Sequence, residues 1–93
     1  MDMLGIILSV SKGNPGAAAF CMEVMHNENT SNYAAAAIER MNYLDITGDK
    51  LYMIWNDCCN RDTEKTLTVM LEKSKDDLIK HLNYENGRGI PFD

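Results

Sequence analysis

Apolar residues recur along this chain at intervals of three and four positions, the spacing that places side chains on one face of an α-helix. The runs with this spacing are Ala17, Cys21, Val24 and Met25; Ala34, Ala37, Ile38 and Met41; Leu51, Ile54, Trp55 and Cys58; and Leu67, Met70 and Leu71. Beside these faces, Phe20 is expected on a flank and Arg40 toward solvent. Because alternating strand patterns are almost absent, the chain is predicted to be all-α, a compact bundle of five or six short helices.

Turn and capping residues divide these helices. Gly13 is expected to end a first apolar helix, and Asn14 to cap the second with Pro15 at its first position. The caps predicted for the later helices are Ser31 or Asn32, Thr47, Asp62 and Ser74. The last stretch, NYENGRGIPFD, is rich in turn residues. The predicted organisation is one helical domain over residues 1–83 and an irregular C-terminal tail over residues 84–93.

Composition and charge limit the classes of function. The 93 residues carry a net charge of −5, which argues against direct binding to nucleic acid because such binding needs cations to displace phosphate counterions. The apolar run over residues 4–10 is too short to span a membrane, and Asp2 stands where a signal peptide would have basic residues. Three cysteines, two of them adjacent, do not suggest a disulfide framework. We therefore expect a cytoplasmic protein that does not contact a membrane.

The segment SKGNPGAAAF, residues 11–20, is a turn that opens into a helix. Lys12 precedes the turn, and alanines occupy the positions where a phosphate-binding P-loop has its lysine and hydroxyl residue, so a corner between two helices is the simpler interpretation. A helix N-terminus can still hold an anion weakly. The residues predicted to bind such a small anionic ligand, for example a nucleotide, are Lys12, Asn14, Gly16 and Arg88.

The segment WNDCCNRD, residues 55–62, concentrates polar residues around a tryptophan. Helix capping accounts for much of this polarity. The functional alternative is a recognition surface made of Trp55, Asn56 and Arg61, because Trp and Arg are enriched at binding hot spots. Since Cys58 and Cys59 are adjacent and both histidines are distant in sequence, we expect no metal site and no cofactor.

Alanine-rich stretches and methionines leave apolar surface outside the predicted core faces. Small side chains permit helices to approach closely, and one short chain has little core with which to cover such a surface. We therefore expect a homo-oligomer. Its predicted contact residues are Ala18, Met22, Ala35 and Ala36.

Three segments, GNPGA (13–17), KLYMIWNDCCNRD (50–62) and NYENGRGIPF (83–92), make the chain resemble small uncharacterised phage and prophage proteins of Gram-positive (Firmicutes) bacteria. The resemblance implies a small non-enzymatic binding protein of a mobile element, which acts by stoichiometric binding inside the bacterial host cell. Its expected role is against host defence, either by inhibiting a host protein or by sequestering a signalling nucleotide. The alternative from the residues themselves is a small hydrolase that uses Asp57, Asp62 or His81.

Overall fold

Six α-helices make up the fold in the computed structural model, which describes residues 2–83 and 87–93. The helices are α1 (Met3–Ser11), α2 (Pro15–His26), α3 (Ser31–Leu44), α4 (Asp49–Met53), α5 (Thr63–Glu72) and α6 (Lys75–Leu82), and α4 continues into a π-helical turn over Ile54–Cys58. These described residues form no β-strand. The predicted all-α bundle of five or six short helices is confirmed.

The hydrophobic core takes side chains from all six helices and from the π-helical turn, and the first three helices pack against one another. Helix α4 packs on α1 and α2, α5 packs on α3, and α6 packs on the π-helical turn. The largest fully buried side chains include Phe20, Ile38, Met41, Leu51, Ile54 and Leu67. Across residues 2–83 and 87–93, every helix is too short or too polar to cross a membrane.

Three of the predicted helix caps are confirmed. The Asn14 side chain accepts a hydrogen bond from the backbone N–H of Ala17, and Asp62 accepts one from Lys65. Ser74 caps α6 in the same way, through the N–H of Asp77. Each of these side chains satisfies a backbone donor that has no partner within its helix, which explains why short helices begin at these points.

The predicted caps of α3 and α4 are wrong. Helix α3 is preceded by Thr30, whose buried hydroxyl donates to the Val24 carbonyl at 2.7 Å instead of capping the helix. Helix α4 is preceded by Gly48 rather than Thr47, with φ 57° and ψ −125°. Glycine adopts this backbone conformation far more easily than any other residue. It allows the Gly48 N–H to donate to the Val10 carbonyl, which joins the start of α4 to α1.

Burial also differs from the predicted faces at four positions. Phe20, expected on a flank, is fully buried, and Met25 is only half-buried. In α5, Leu71 keeps 37% of its surface exposed, whereas Val69 is buried in its place. The buried faces of α2 and α5 are therefore rotated slightly from the predicted ones, because α2 packs against α1, α3 and α4, and α5 packs against α3 and the π-helical turn.

Arg40 was expected to face solvent but instead joins α3 to the end of α5. Its guanidinium donates to the carbonyl of Met70 and to the carbonyl of Lys73. The last carbonyls of a helix have no partner within that helix, so Arg40 provides the C-terminal hydrogen bonds that α5 lacks.

The segment over residues 87–93 lies against the bundle and forms no helix or strand. The Ile90 N–H donates to the His81 carbonyl at 2.8 Å, and the Phe92 N–H donates to the Cys58 carbonyl at 2.9 Å. Phe92 is buried, and its ring stacks on His81 with 3.7 Å between the ring centroids. The predicted tail also included residues 84–86, which lie outside the described residues.

Candidate functional site

The predicted recognition residues Trp55, Asn56 and Arg61 lie together on the surface. The Arg61 guanidinium lies over the Trp55 ring, with its central carbon 5.1 Å from the ring centroid. Its Nε–H donates to the Asn56 side chain at 2.7 Å, and its Nη2–H donates to the Tyr52 hydroxyl at 3.2 Å. We call Tyr52, Trp55, Asn56 and Arg61 the Arg61 patch.

Tyr52 is the member of the Arg61 patch that the sequence interpretation missed. It precedes Trp55 by three positions and Asn56 by four, the spacing of neighbours on a helix surface. Its ring meets the Trp55 ring edge-on, with 5.9 Å between centroids and 70° between planes. Helical spacing from the tryptophan therefore contained the signal that identifies Tyr52.

An unusual backbone path brings Arg61 back over Trp55. The Cys59 N–H donates to the Ile54 carbonyl, which makes the turn over Ile54–Cys58 π-helical, and the Arg61 N–H donates to the Trp55 carbonyl at 2.7 Å. Asn60 and Arg61 both adopt left-handed backbone conformations, with φ of 52° and 59°. Asparagine adopts this conformation at little cost, whereas Arg61 loses on the order of 1 kcal/mol. Lys12 and Asp45 adopt it too, at the ends of α1 and α3.

The Trp55 ring is held by contacts within the protein. In addition to Tyr52 and Arg61, it meets Phe20, with 5.6 Å between the ring centroids. Its indole N–H is buried, and among the described residues it has no hydrogen-bond partner. An unsatisfied buried donor costs about 1–3 kcal/mol. Trp55 is therefore fixed by aromatic packing and by the guanidinium rather than by a polar anchor.

The N-terminus of α2, where the anion site was predicted, adjoins the Arg61 patch. Gly16 packs so closely against Tyr52 that a Cβ at this position would overlap the tyrosine ring. The Asn14 side chain caps Ala17 and also donates to the Asp49 carboxylate at 2.6 Å. The structure thus joins two surfaces that were predicted separately, through the ring of Tyr52.

The cations predicted for the anion site are not assembled around it. Lys12 forms an ion pair with Asp45 at 3.1 Å, and this contact lowers the pKa of the Asp45 carboxyl. Arg88 is exposed in the segment over residues 87–93, and no hydrogen bond within the described residues joins it to Asn14. The Asp49 carboxylate beside Asn14 repels an anion. The anion site stays a prediction, and these contacts do not favour it.

The residues predicted for a homo-oligomer contact lie on two helices. Ala18 and Met22 are on α2, where Ala18 is half-buried and Met22 is 44% exposed. Ala35 and Ala36 are on α3, the first half-buried and the second exposed. Both helices pack against α1. This oligomer contact also stays a prediction.

The three candidate hydrolase residues each hold part of the fold. Asp57 accepts hydrogen bonds from the Asn56 side chain and from the Gly89 N–H, and Asp62 caps α5. The Nδ1–H of His81 donates to the Ile90 carbonyl at 2.6 Å. A nucleophile and its base must lie within hydrogen-bond reach of each other. No hydrogen bond in the described part of the chain joins any two of these three side chains.

The cysteines are buried thiols. Burial raises the pKa of Cys21 and the pKa of Cys58 to about 12, and it also raises the pKa of Cys59. A thiol with a raised pKa remains protonated near neutral pH, whereas the thiolate is the form that attacks electrophiles and binds metals. Across the described residues, no group of three His, Cys, Asp or Glu side chains is placed to hold a metal ion.

A groove of about 400 Å³ lies between α4 and α6. The residues that line it are Asp49, Lys50, Met53, Ile79, Leu82 and Asn83. Among the described residues that line it, the charged side chains are one acid and one base, which together carry no net charge with which to select an ionic ligand.

No family model, curated protein or solved structure matches this chain. Functional inference therefore depends on the side chains themselves, and among the described residues the Arg61 patch is the best-organised polar cluster on the surface.

Proposed function

We propose that this chain is a small non-enzymatic binding protein of a phage or mobile element, which binds a protein partner stoichiometrically inside the bacterial cell. The Arg61 patch is the centre of the contact. The observation that supports this proposal is the position of the Arg61 guanidinium, which is held over Trp55 and bonded to Tyr52 and Asn56 while it remains exposed.

Preorganisation makes this arrangement suitable for recognition. Trp, Tyr and Arg are the residues most enriched at the centres of protein interfaces. An arginine that is already held in place loses little side-chain entropy on binding, and its remaining N–H groups can donate to a carboxylate or carbonyl of the partner. The complementary partner is therefore a protein surface that presents a carboxylate or an exposed carbonyl group.

A protein partner is favoured over a nucleotide. Trp55 already contacts Phe20, Tyr52 and Arg61, so its ring is committed to contacts within the chain. A nucleotide would also bring phosphates close to acidic side chains, since Asp57 is bonded to Asn56 and Asp62 follows Arg61. The net charge of −5 adds a general repulsion. The hydrolase alternative has less support, because its three residues are occupied in structural contacts.

The test compares two glycine substitutions at neighbouring left-handed positions. Arg61→Gly removes the guanidinium and suits the backbone, whereas Asn60→Gly makes the same backbone change and keeps Arg61. Partners captured from lysates of a Gram-positive host are identified, and each is purified and titrated against both variants. We expect Arg61→Gly to weaken binding by about 30-fold or more, the size of a hot-spot loss, and Asn60→Gly to bind within about twofold of the unsubstituted protein.

Two outcomes would contradict the proposal. Equal affinity of the two variants for a stoichiometric partner would remove the Arg61 patch from the interface. Saturable binding of a free nucleotide that Arg61→Gly leaves unchanged, with no protein partner captured, would favour nucleotide sequestration instead. Circular dichroism of both variants shows whether the fold is retained.

A further inference from the structure

Helix α1 presents two large apolar side chains to solvent. Leu4 is 62% exposed and Leu8 is 66% exposed, and they lie one helical turn apart on the same face. The opposite face, with Ile6, Ile7 and Val10, is buried in the core. No charged residue occurs between Met3 and Ser11, so the outward face has none of the charges that usually keep a surface helix solvated.

Opposite charges stand at the two ends of this helix. Asp2 caps its N-terminus and is exposed. Lys12 follows its C-terminus, where its ammonium group pairs with Asp45 at 3.1 Å but leaves 57% of the side chain exposed to contact a second carboxylate. Consider two such helices that pair antiparallel, with Leu4 of each opposite Leu8 of the other. Asp2 of one copy then faces position 10 of the other, and Lys12 lies two residues beyond that position. That offset is about 3 Å along the helix, which a lysine side chain spans easily.

A parallel arrangement would place each charge beside its own kind and would align the two helix dipoles unfavourably. The antiparallel arrangement pairs opposite charges at both ends and generates a two-fold axis, the symmetry of most homodimers. The face is therefore complementary to itself. We infer that α1 is a self-association surface, through which two copies of this chain form an antiparallel pair with Leu4 and Leu8 at its centre.

The size of the face sets the strength of the dimer. A nine-residue helix is about 14 Å long and about 10 Å wide, whereas a stable interface buries about 800 Å² on each partner. One helix covers only part of that area. The dimer is therefore reversible, with a dissociation constant in the micromolar range or weaker, and it leaves the Arg61 patch free because Tyr52 and Arg61 lie outside α1.

Sedimentation velocity over a concentration series, from about 10 μM to about 1 mM, tests this inference. We expect a monomer–dimer equilibrium whose dissociation constant Leu8→Glu raises about tenfold or more. Leu71→Glu is the matched control, since Leu71 is an exposed leucine on α5, and it leaves the equilibrium unchanged. Asp2→Asn keeps a capping side chain but removes its charge, so it weakens the dimer and reduces its dependence on salt.

Disulfide cross-linking tests the orientation. A mixture of Leu4→Cys and Leu8→Cys proteins cross-links more efficiently than either protein alone if the helices are antiparallel. More efficient cross-linking of each variant with itself would overturn this register. A monomer at about 1 mM, or equal association of Leu8→Glu and the unsubstituted protein, would overturn the self-association surface. Binding of the monomer to phosphatidylglycerol vesicles, abolished by Leu8→Glu, would assign this face to a membrane surface instead.

Discussion

Replacement of Gly16 by alanine tests how rigidly Tyr52 is held. Gly16 lies in the first turn of α2, where alanine is normally the better residue and stabilises a helix by about 0.4–1 kcal/mol. Here an added Cβ would overlap two atoms of the Tyr52 ring. The ring cannot turn away freely, because its hydroxyl accepts a hydrogen bond from Arg61 and its edge meets Trp55.

The two effects oppose each other, and the clash is the larger. Forcing an extra carbon into a packed site costs about 1–3 kcal/mol, from which the helix gain of about 0.4–1 kcal/mol is subtracted. Gly16→Ala is therefore expected to lower the free energy of unfolding by about 1.3 kcal/mol, the midpoint of a range of about 0–2.6 kcal/mol. For a domain of this length, that loss corresponds to a decrease in Tm of about 5–10 °C.

Urea denaturation followed by circular dichroism measures the change in the free energy of unfolding. The control is the same substitution in a protein that also carries Tyr52→Ala. When Tyr52 is replaced by alanine, the clash is absent and Gly16→Ala should raise the free energy of unfolding by about 0.4–1 kcal/mol. The reversal of sign is the result that identifies the ring as the cause. If Gly16→Ala is neutral or stabilising in the presence of Tyr52, the ring moves freely and the Arg61 patch is not preorganised.

Two further predictions concern the core and the buried thiols. Leu51→Ala and Ile54→Ala should each lower the free energy of unfolding by about 2–4 kcal/mol, because both side chains are fully buried. Met53 is half-buried, so Met53→Ala should lower the free energy of unfolding by less than about 1.5 kcal/mol. Equal losses for the three variants in chemical denaturation would contradict this order. Because burial raises the pKa of the Cys21 thiol from 9.0 to about 12, the unfolded chain releases a proton between these pH values that the folded chain keeps. Stability should therefore fall as pH rises above 9, by at most about 1.4 kcal/mol per pH unit for this thiol. Urea denaturation measures the loss of unfolding free energy between about pH 8 and about pH 10, and this loss should be smaller for Cys21→Ala than for the unsubstituted protein. An equal loss in the two proteins would mean that the Cys21 thiol is not the cause.

Features that depend on neighbouring residues were predictable from the sequence. Asn14, Asp62 and Ser74 cap helices through a backbone N–H three positions later, so their roles follow from local chemistry. Two of the predicted recognition residues, Trp55 and Asn56, are adjacent in the chain. Their proximity follows from their adjacency in the chain.

Features that depend on distant residues were not predictable in this way. Arg40 donates a hydrogen bond to a carbonyl 30 positions away. Gly48 precedes α4 because its N–H donates to the carbonyl of Val10, which belongs to another helix. Periodicity also cannot distinguish a π-helical turn from an α-helical one over five residues, nor does it indicate that Asn60 and Arg61 take left-handed conformations. The position of Arg61 over Trp55 arises from that backbone path, so the sequence suggested the members of the site but not their geometry.

The segment over residues 87–93 also has a consequence for local unfolding. It forms no helix or strand of its own, and Gly89 lies directly against the Cys58 sulfur. Segments without secondary structure can open at a lower free energy than the whole domain. Detachment of this segment would therefore expose the Cys58 thiol to solvent while the helices remain intact.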